Sequence, residues 1–348
     1  MDNIKINETP VRTSKNFRIN NVEIDGSLFN KKIGEFKNVN LAGGSLIDER
    51  DFDLTFGLGE LPISQIKGKA NQRIRFDIKN KTDKEYFADF VLDKDNPDLV
   101  DDIEVVADEG CKGTVIIKYK SDSGIKTFHN GVIRVMAKKE SRVNVIIVNL
   151  LGLDSINLLS IENCIEENAN ICYSIIDFGG EKSITNYYSN LVGNESKNNV
   201  NTLYLGGDSQ RFDLNYIGEL RGERTKINID VQGALSGEAK KNFKGTIDFK
   251  KGCKKASGSE NENCLLLTDK AKSIALPMLL CSEEDVEGEH SSSAGKADNK
   301  ELFYIMSRGF SLKEAMKLLV RAKFNKTIES IKNEEIREEI IGEIEKRL

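Results

Sequence analysis

Between Arg73 and Leu280 apolar and polar residues alternate in a long succession of short runs, such as Arg73-Ile74-Arg75-Phe76-Asp77-Ile78 or Ile227, Ile229 and Val231. A period of two sends one row of side chains to a buried face and the other to a wetter one, which predicts strands. Each run is bounded by Gly, Asn or Asp, and no stretch of helical period interrupts about two hundred residues. That pattern argues against a doubly wound α/β domain and for a sandwich, barrel or solenoid. A β-solenoid is attractive because it can grow this long as one unit. No fixed-period repeat separates it from a sandwich. The most apolar window, Val143 to Ile161, is broken by Asn144, Asn149, Asp154 and Asn157, and so predicts buried strands and not a membrane span.

The flanks read differently. Residues 1–80 mix short apolar patches with Gly43-Gly44, Gly57 and Gly59, without a sustained helical period, and predict a β-rich or mixed region. Ser282 to Asn299 is acidic and serine-rich, the composition of a solvated linker, and predicts a domain boundary. Beyond it, Asp298 with Glu301 and Ser311 with Glu314 place a capping oxygen three residues before an acid, the signature of a helix start. The first helix carries Leu302, Phe303, Ile305 and Met306 and stops at Gly309; the second carries Leu312, Ala315, Met316, Leu318, Leu319 and Ala322. Together they predict a helical hairpin. A last amphipathic run aligns Ile336, Ile340, Ile341 and Ile344. The predicted division is an N-terminal region over 1–80, a β core over 81–285 and a small helical domain over 286–348.

Composition narrows the function. The 348 residues are 39% hydrophobic and 31% charged, as in a soluble globular protein, and 51 Lys and Arg against 56 Asp and Glu give no field to attract nucleic acid or a membrane surface. The first residues show no basic segment followed by an apolar run, so no export signal is predicted. Six cysteines without a C-x-x-C pair predict reduced thiols in a cytoplasm. There is no G-x-x-x-x-G-K-[ST] loop, and Gly57-Leu58-Gly59 lacks a dinucleotide context, so this chain is expected to bind no nucleotide. Only His129 and His290 are available, which excludes the usual zinc hydrolase site. Gly207-Asp208-Ser209 has turn chemistry and not that of a nucleophile elbow. His129, before the turn pair Asn130-Gly131, is expected near a strand end as a surface or capping residue. His290 falls in the polar stretch. Imidazole and thiolate are both competent iron ligands, so a lone His and a few Cys suit partial ligation at a subunit interface.

Asn242-Phe243-Lys244-Gly245-Thr246-Ile247-Asp248-Phe249 resembles the F-R/K-G-T-I-D-F block of the SufB/SufD family. It is followed in the family's order by Cys264-Leu265-Leu266-Leu267-Thr268, by Pro277, by the acidic run ending in His290, and by Leu302-Phe303-Tyr304-Ile305-Met306-Ser307-Arg308-Gly309-Phe310, which is similar to the family's LFYL-x-SRG helix. Before Arg211 the likeness is general. The resemblance implies a mainly β protein with a right-handed parallel β-helix core between an N-terminal mixed region and a C-terminal helical domain. It further implies a non-catalytic scaffold for iron–sulfur cluster assembly. Two such cores pair edge to edge, each helical end holds the SufC ATPase, and the nascent cluster is shared transiently at the interface. Sulfur would arrive from a cysteine desulfurase through a SufB partner.

The same resemblance marks residues. His290 matches the histidine that a SufD chain contributes to that interface, although Glu289-His290-Ser291-Ser292 replaces the family's Ser-His-Gly-Ala pattern. The SufB cysteine position falls on Glu262 and the SufB glutamate position on Ser291, which favours SufD. Cys264 shares strand parity with Glu262 and is a candidate substitute ligand, with a buried structural thiol as the alternative. Phe303, Arg308, Phe310, Leu319 and Phe324 are candidates for the ATPase contact or for packing the helices. The assembly expected is with SufB and SufC, or a SufB-like homodimer with SufC alone. A β-solenoid carbohydrate-active enzyme or an adhesin is disfavoured: the chain has no Trp and no visible export signal.

Overall fold

The computed structural model describes residues 3–11, 19–49 and 51–348. The alternating runs become strands of about ten residues joined by tight turns, and successive strands go in turn to one of two sheets. Sheet I runs in parallel from Glu85–Leu92 to Val286–Lys296, and sheet II from Gln72–Ile78 to Lys272–Cys281. The result is the mainly β, parallel solenoid that the resemblance implied. Its repeat hides from sequence because the coil length drifts: Ile156 pairs with Lys182, an offset of 26 residues, whereas Lys240 pairs with Lys272, an offset of 32. The turns absorb the difference, and several hold one residue in the left-handed region, such as Asp208 at φ +47° in the predicted Gly207-Asp208-Ser209 turn.

Three apolar layers follow from strand parity. Inward rows of both sheets, from Ile74 and Phe76 to Phe249 and Ala256, fill the solenoid. The outer face of sheet I, with Ile146, Phe178, Leu203 and Ala234, is covered by the two C-terminal helices Leu312–Ser330 and Glu334–Arg347 through Val320, Phe324, Ile328, Ile336, Ile340 and Ile344. The outer face of sheet II is covered by the N-terminal segment through Ile6, Phe29, Leu58 and Ile66. Four helices occur among the described residues: α1 (Glu60–Lys69), α2 (Asn299–Ser307), α3 (Leu312–Ser330) and α4 (Glu334–Arg347). The predicted starts hold: Asp298 accepts from the Lys300 amide, and Ser311 with Glu314 closes a full capping box. Helix α1 escaped prediction because Pro62 and Gly68 interrupt its short run and tertiary contacts hold it. No helix is long and apolar enough to cross a membrane among the described residues.

His129 is not at the surface. It does stand near a strand end, as the second residue of Phe128–Ala137, but on the inner row and fully buried, with Nδ1 2.6 Å from Asn157 Oδ1 and Nε2 3.1 Å from Asp101 Oδ1. Nor do Asn130 and Gly131 form a turn. Asn130 points outward and donates to the Pro62 carbonyl and to Gln65 Oε1 of α1. Gly131 points inward, where a Cβ would stand 2.0 Å from Asp101 Oδ1 and 2.6 Å from His129 Nε2. The sheet register, invisible in one sequence, overrides the local turn propensity. Gly131→Ala is expected to lose about 1–3 kcal/mol in urea denaturation through this overpacking; an unchanged midpoint would show that the histidine and aspartate move aside freely.

The two ends of the solenoid differ. At the start, Val39–Ala42 and Ser45–Leu46 pair antiparallel with the first coil, and Phe36 packs on Phe90 beneath them. At the finish, Lys272–Cys281 and Val286–Lys296 are the outermost strands of their sheets, with no further strand beyond them among the described residues.

Candidate functional site

Val286–Lys296 is the acidic, serine-rich stretch whose composition suggested a linker, and it is a strand. It pairs in register with Ala256–Leu266, and side-chain ladders replace the missing apolar row: Ser291 Oγ donates to Asn261 Oδ1 at 2.6 Å, Ser292 Oγ to Glu262 Oε2 at 2.9 Å, and Ser293 to Asn263. Such ladders stabilise a strand that hydrophobic patterning does not reveal. Nearly every residue of it is exposed.

The pairing sets His290 directly beside Glu260, Ser292 beside Glu262 and Ala294 beside Cys264. His290 therefore stands on the inner row at the open end, over the last closed coil. Of the two imidazoles, it is the exposed one, while both nitrogens of His129 are engaged in the core. Below it, Glu260, Glu262 and Cys264 line one face of Ala256–Leu266 and are all buried. Glu262 and Lys241 form a fully buried ion pair at 2.6 Å, and Tyr204 donates to the same carboxylate oxygen at 3.0 Å. Both oxygens of Glu262 are thus occupied from within the chain. Cys264 is closed in by the Tyr204 and Ser273 hydroxyls, and burial, only partly opposed by Lys241, pushes its thiol up. It sits four residues along from the level of His290, about 13 Å at 3.3 Å per residue, so the fold does not bring these two sequence candidates together.

Glu260 was not singled out by sequence. Its side chain is 2% exposed, and neither carboxyl oxygen has a hydrogen-bond partner. Space for it comes from Gly245 on the facing strand, where a Cβ would meet Glu260 Oε2 at 2.0 Å. Burial, and after it the charge of Glu262, push the carboxyl up to about 8. Between its ordinary value near 4.5 and about 8, the folded chain holds a proton that the unfolded chain has released, so this group's contribution to stability falls as pH rises through that window. Glu260→Gln is expected to remove that fall: its advantage in melting temperature over the wild type grows from about pH 4 to about pH 8.5. A pH-independent difference would contradict it. The signal available in sequence was a carboxylate at an inward parity position, legible only once the strand's phase is fixed.

At the helical end, Phe303 is 74% exposed, and Tyr304, Met306, Phe310 and Leu312 are exposed beside it. Arg308 is exposed and lies over the Tyr304 ring, with its guanidinium donating to the Tyr304 hydroxyl at 3.1 Å. Leu319 is half-buried against the solenoid, and Phe324 is fully buried and stacks on Phe178. The five sequence candidates thus split: Phe303, Arg308 and Phe310 are exposed, while Leu319 and Phe324 fasten α3 to sheet I. Among the described residues, no three His, Cys, Asp or Glu side chains converge to hold a metal ion unaided.

The family described as SUF system FeS cluster assembly, SufBD core domain, matches residues 90–323. The chain is 26% identical to the iron–sulfur cluster assembly protein SufD of Bacillus subtilis (strain 168) over 48% of its own length and 38% of that protein. It is 25% identical to an iron–sulfur cluster assembly SufBD family protein of Mycobacterium leprae over 61% of its length and 24% of that relative. With one of Staphylococcus epidermidis it shares 23% identity over 69% of its length and 52% of the relative. The chain therefore spans about a quarter to a half of the curated relatives it matches.

Proposed function

The chain belongs to the SufBD core family of iron–sulfur cluster assembly, and from that premise we propose that it is a SufD-like, non-catalytic scaffold subunit. Its open solenoid end pairs with a second core of the SufB type, and the α2 region docks the partner ATPase. The observation that carries this reading is the last coil: two outermost strands with no further strand beyond them among the described residues, and His290 on the inner row of one of them. Unpaired strand edges are templates for pairing with another chain. A nascent cluster, as cargo, would meet the imidazole of His290 there, with the remaining ligands drawn from the facing core.

The assignment to SufD over SufB draws on Glu262. Where the SufB-type cysteine is expected, this chain has a carboxylate locked to Lys241, Tyr204 and Ser292. A group so occupied does not reach across an interface. Cys264 is sealed behind the Tyr204 and Ser273 hydroxyls, so it is assigned a packing role. The exposed Phe303, Tyr304 and Phe310 with Arg308 form an apolar patch with one guanidinium, suited to a partner groove rimmed by carboxylates or carbonyl oxygens. ATP hydrolysis is assigned to that partner.

Light scattering after size exclusion, with the cognate ATPase alone and with the SufB-type chain added, tests the proposal. A three-component complex is the expected result. A chain that binds the ATPase but pairs with itself would convert the reading to a homodimeric scaffold, and a chain that joins neither would overturn it.

A further inference from the structure

We infer that Glu260 and His290 together form this chain's half of a divalent-metal site at the open end of the solenoid, with Glu260 supplying a carboxylate oxygen from the floor and His290 an imidazole nitrogen from the rim. The inference rests on the scaffold reading for the position of the facing core, and it adds a ligand which that reading lacks.

The argument begins from the cost of Glu260 as it stands. Burying a carboxyl group without a hydrogen-bond partner is unfavourable, and each such group in a folded protein calls for a cause. Other buried carboxylates of this chain are partnered on at least one oxygen: Asp101 by Tyr119 and His129, Asp102 by Arg134, Asp177 by Asn149 and Ser183, Asp213 by Lys244 and Asn7, and Glu262 by Lys241. Glu260 has both oxygens unpartnered. On the facing strand Gly245 has no side chain, and the side chain of its in-register neighbour in the last coil, Pro277, carries no donor.

What remains is the group directly above. His290 is the in-register partner of Glu260, its backbone one strand spacing of about 4.8 Å away, and the coil that carries it is the last. The pair thus lies where the interior opens. Carboxylate oxygen with imidazole nitrogen is a donor set for ferrous iron and its neighbours in the first transition row, and it is less suited to the soft cations that demand thiolate. With no third protein ligand among the described residues, the site is incomplete within one chain, and water or the facing core must supply the rest. An incomplete, acid-containing site at an interface fits a cation that is to be handed on.

The test uses cobalt(II) as the probe, added anaerobically to the full chain and then to its complex with the second core and the ATPase. All proteins carry Cys281→Ser, because that exposed thiol would bind cobalt itself. Saturable binding is expected with ligand-field absorption and no thiolate charge-transfer band. Glu260→Gln and His290→Ala should each weaken it at least tenfold, about 1.4 kcal/mol, and Glu289→Gln, on the outer row of the same strand, should leave it unchanged. Circular dichroism of each variant establishes that it is folded. If folded Glu260→Gln binds cobalt as the parent does, or if no saturable binding occurs in either the chain or the complex, the inference falls. In the former case a normal complex leaves the scaffold reading intact. Cobalt binding through both residues by a chain that never joins a second core would instead keep the site and overturn the assembly.

Discussion

Replacing Lys241 by alanine is expected to cost about 3–5 kcal/mol of stability, the range for breaking a buried ion pair by removing one partner. Lys241 and Glu262 are both fully buried, 2.6 Å apart, and the ammonium also lies between the Tyr204 and Phe243 rings at 5.6 and 5.8 Å. Truncation strands the Glu262 carboxylate in the solenoid interior and leaves a void beside two aromatic rings. Urea denaturation reads the loss. The double replacement Lys241→Met with Glu262→Met should recover most of it, because paired apolar groups of similar volume carry no desolvation cost. A single-variant loss below about 1 kcal/mol would mean that water enters the interior at that level.

His290→Ala should behave in the opposite way. The side chain is exposed, so its loss is expected to change stability by no more than about 0.5 kcal/mol and to leave binding to the ATPase unchanged. Cluster formation in the assembled complex should fall at least tenfold, read as visible absorbance on anaerobic reconstitution with iron and sulfide. Normal reconstitution by the variant would remove His290 from the proposed site, whatever the complex does.

The legible part of this protein was what depends on local pattern. Alternating runs located the strands, and capping residues at Asp298 and Ser311 located α2 and α3. The family blocks supplied the solenoid that periodicity alone could not, since coil lengths differ by several residues. What stayed hidden depends on register. Parallel pairing brings together residues about thirty positions apart, so nothing near His129 in sequence announces Asp101 or Asn157, and nothing near His290 announces Glu260. The serine-rich last strand misled for a related reason: hydrogen-bonded side-chain ladders hold it, and their composition is that of a linker. Phe303 and Phe324 are chemically alike and both lie on the C-terminal helices, yet one is exposed and the other is a rivet to sheet I.

The unequal ends of the solenoid bear on polymerisation. Because the first coil is blocked by antiparallel segments, the proposed edge-to-edge contact can join only two finishing ends and cannot continue head to tail. Such a contact of like end with like end uses up the free edge of each molecule, whereas a head-to-tail contact would propagate into a filament. The two short strands within residues 39–46, one on each sheet, are in this sense a chain terminator for the proposed assembly, and their deletion should turn a pair-forming protein into one that grows fibres.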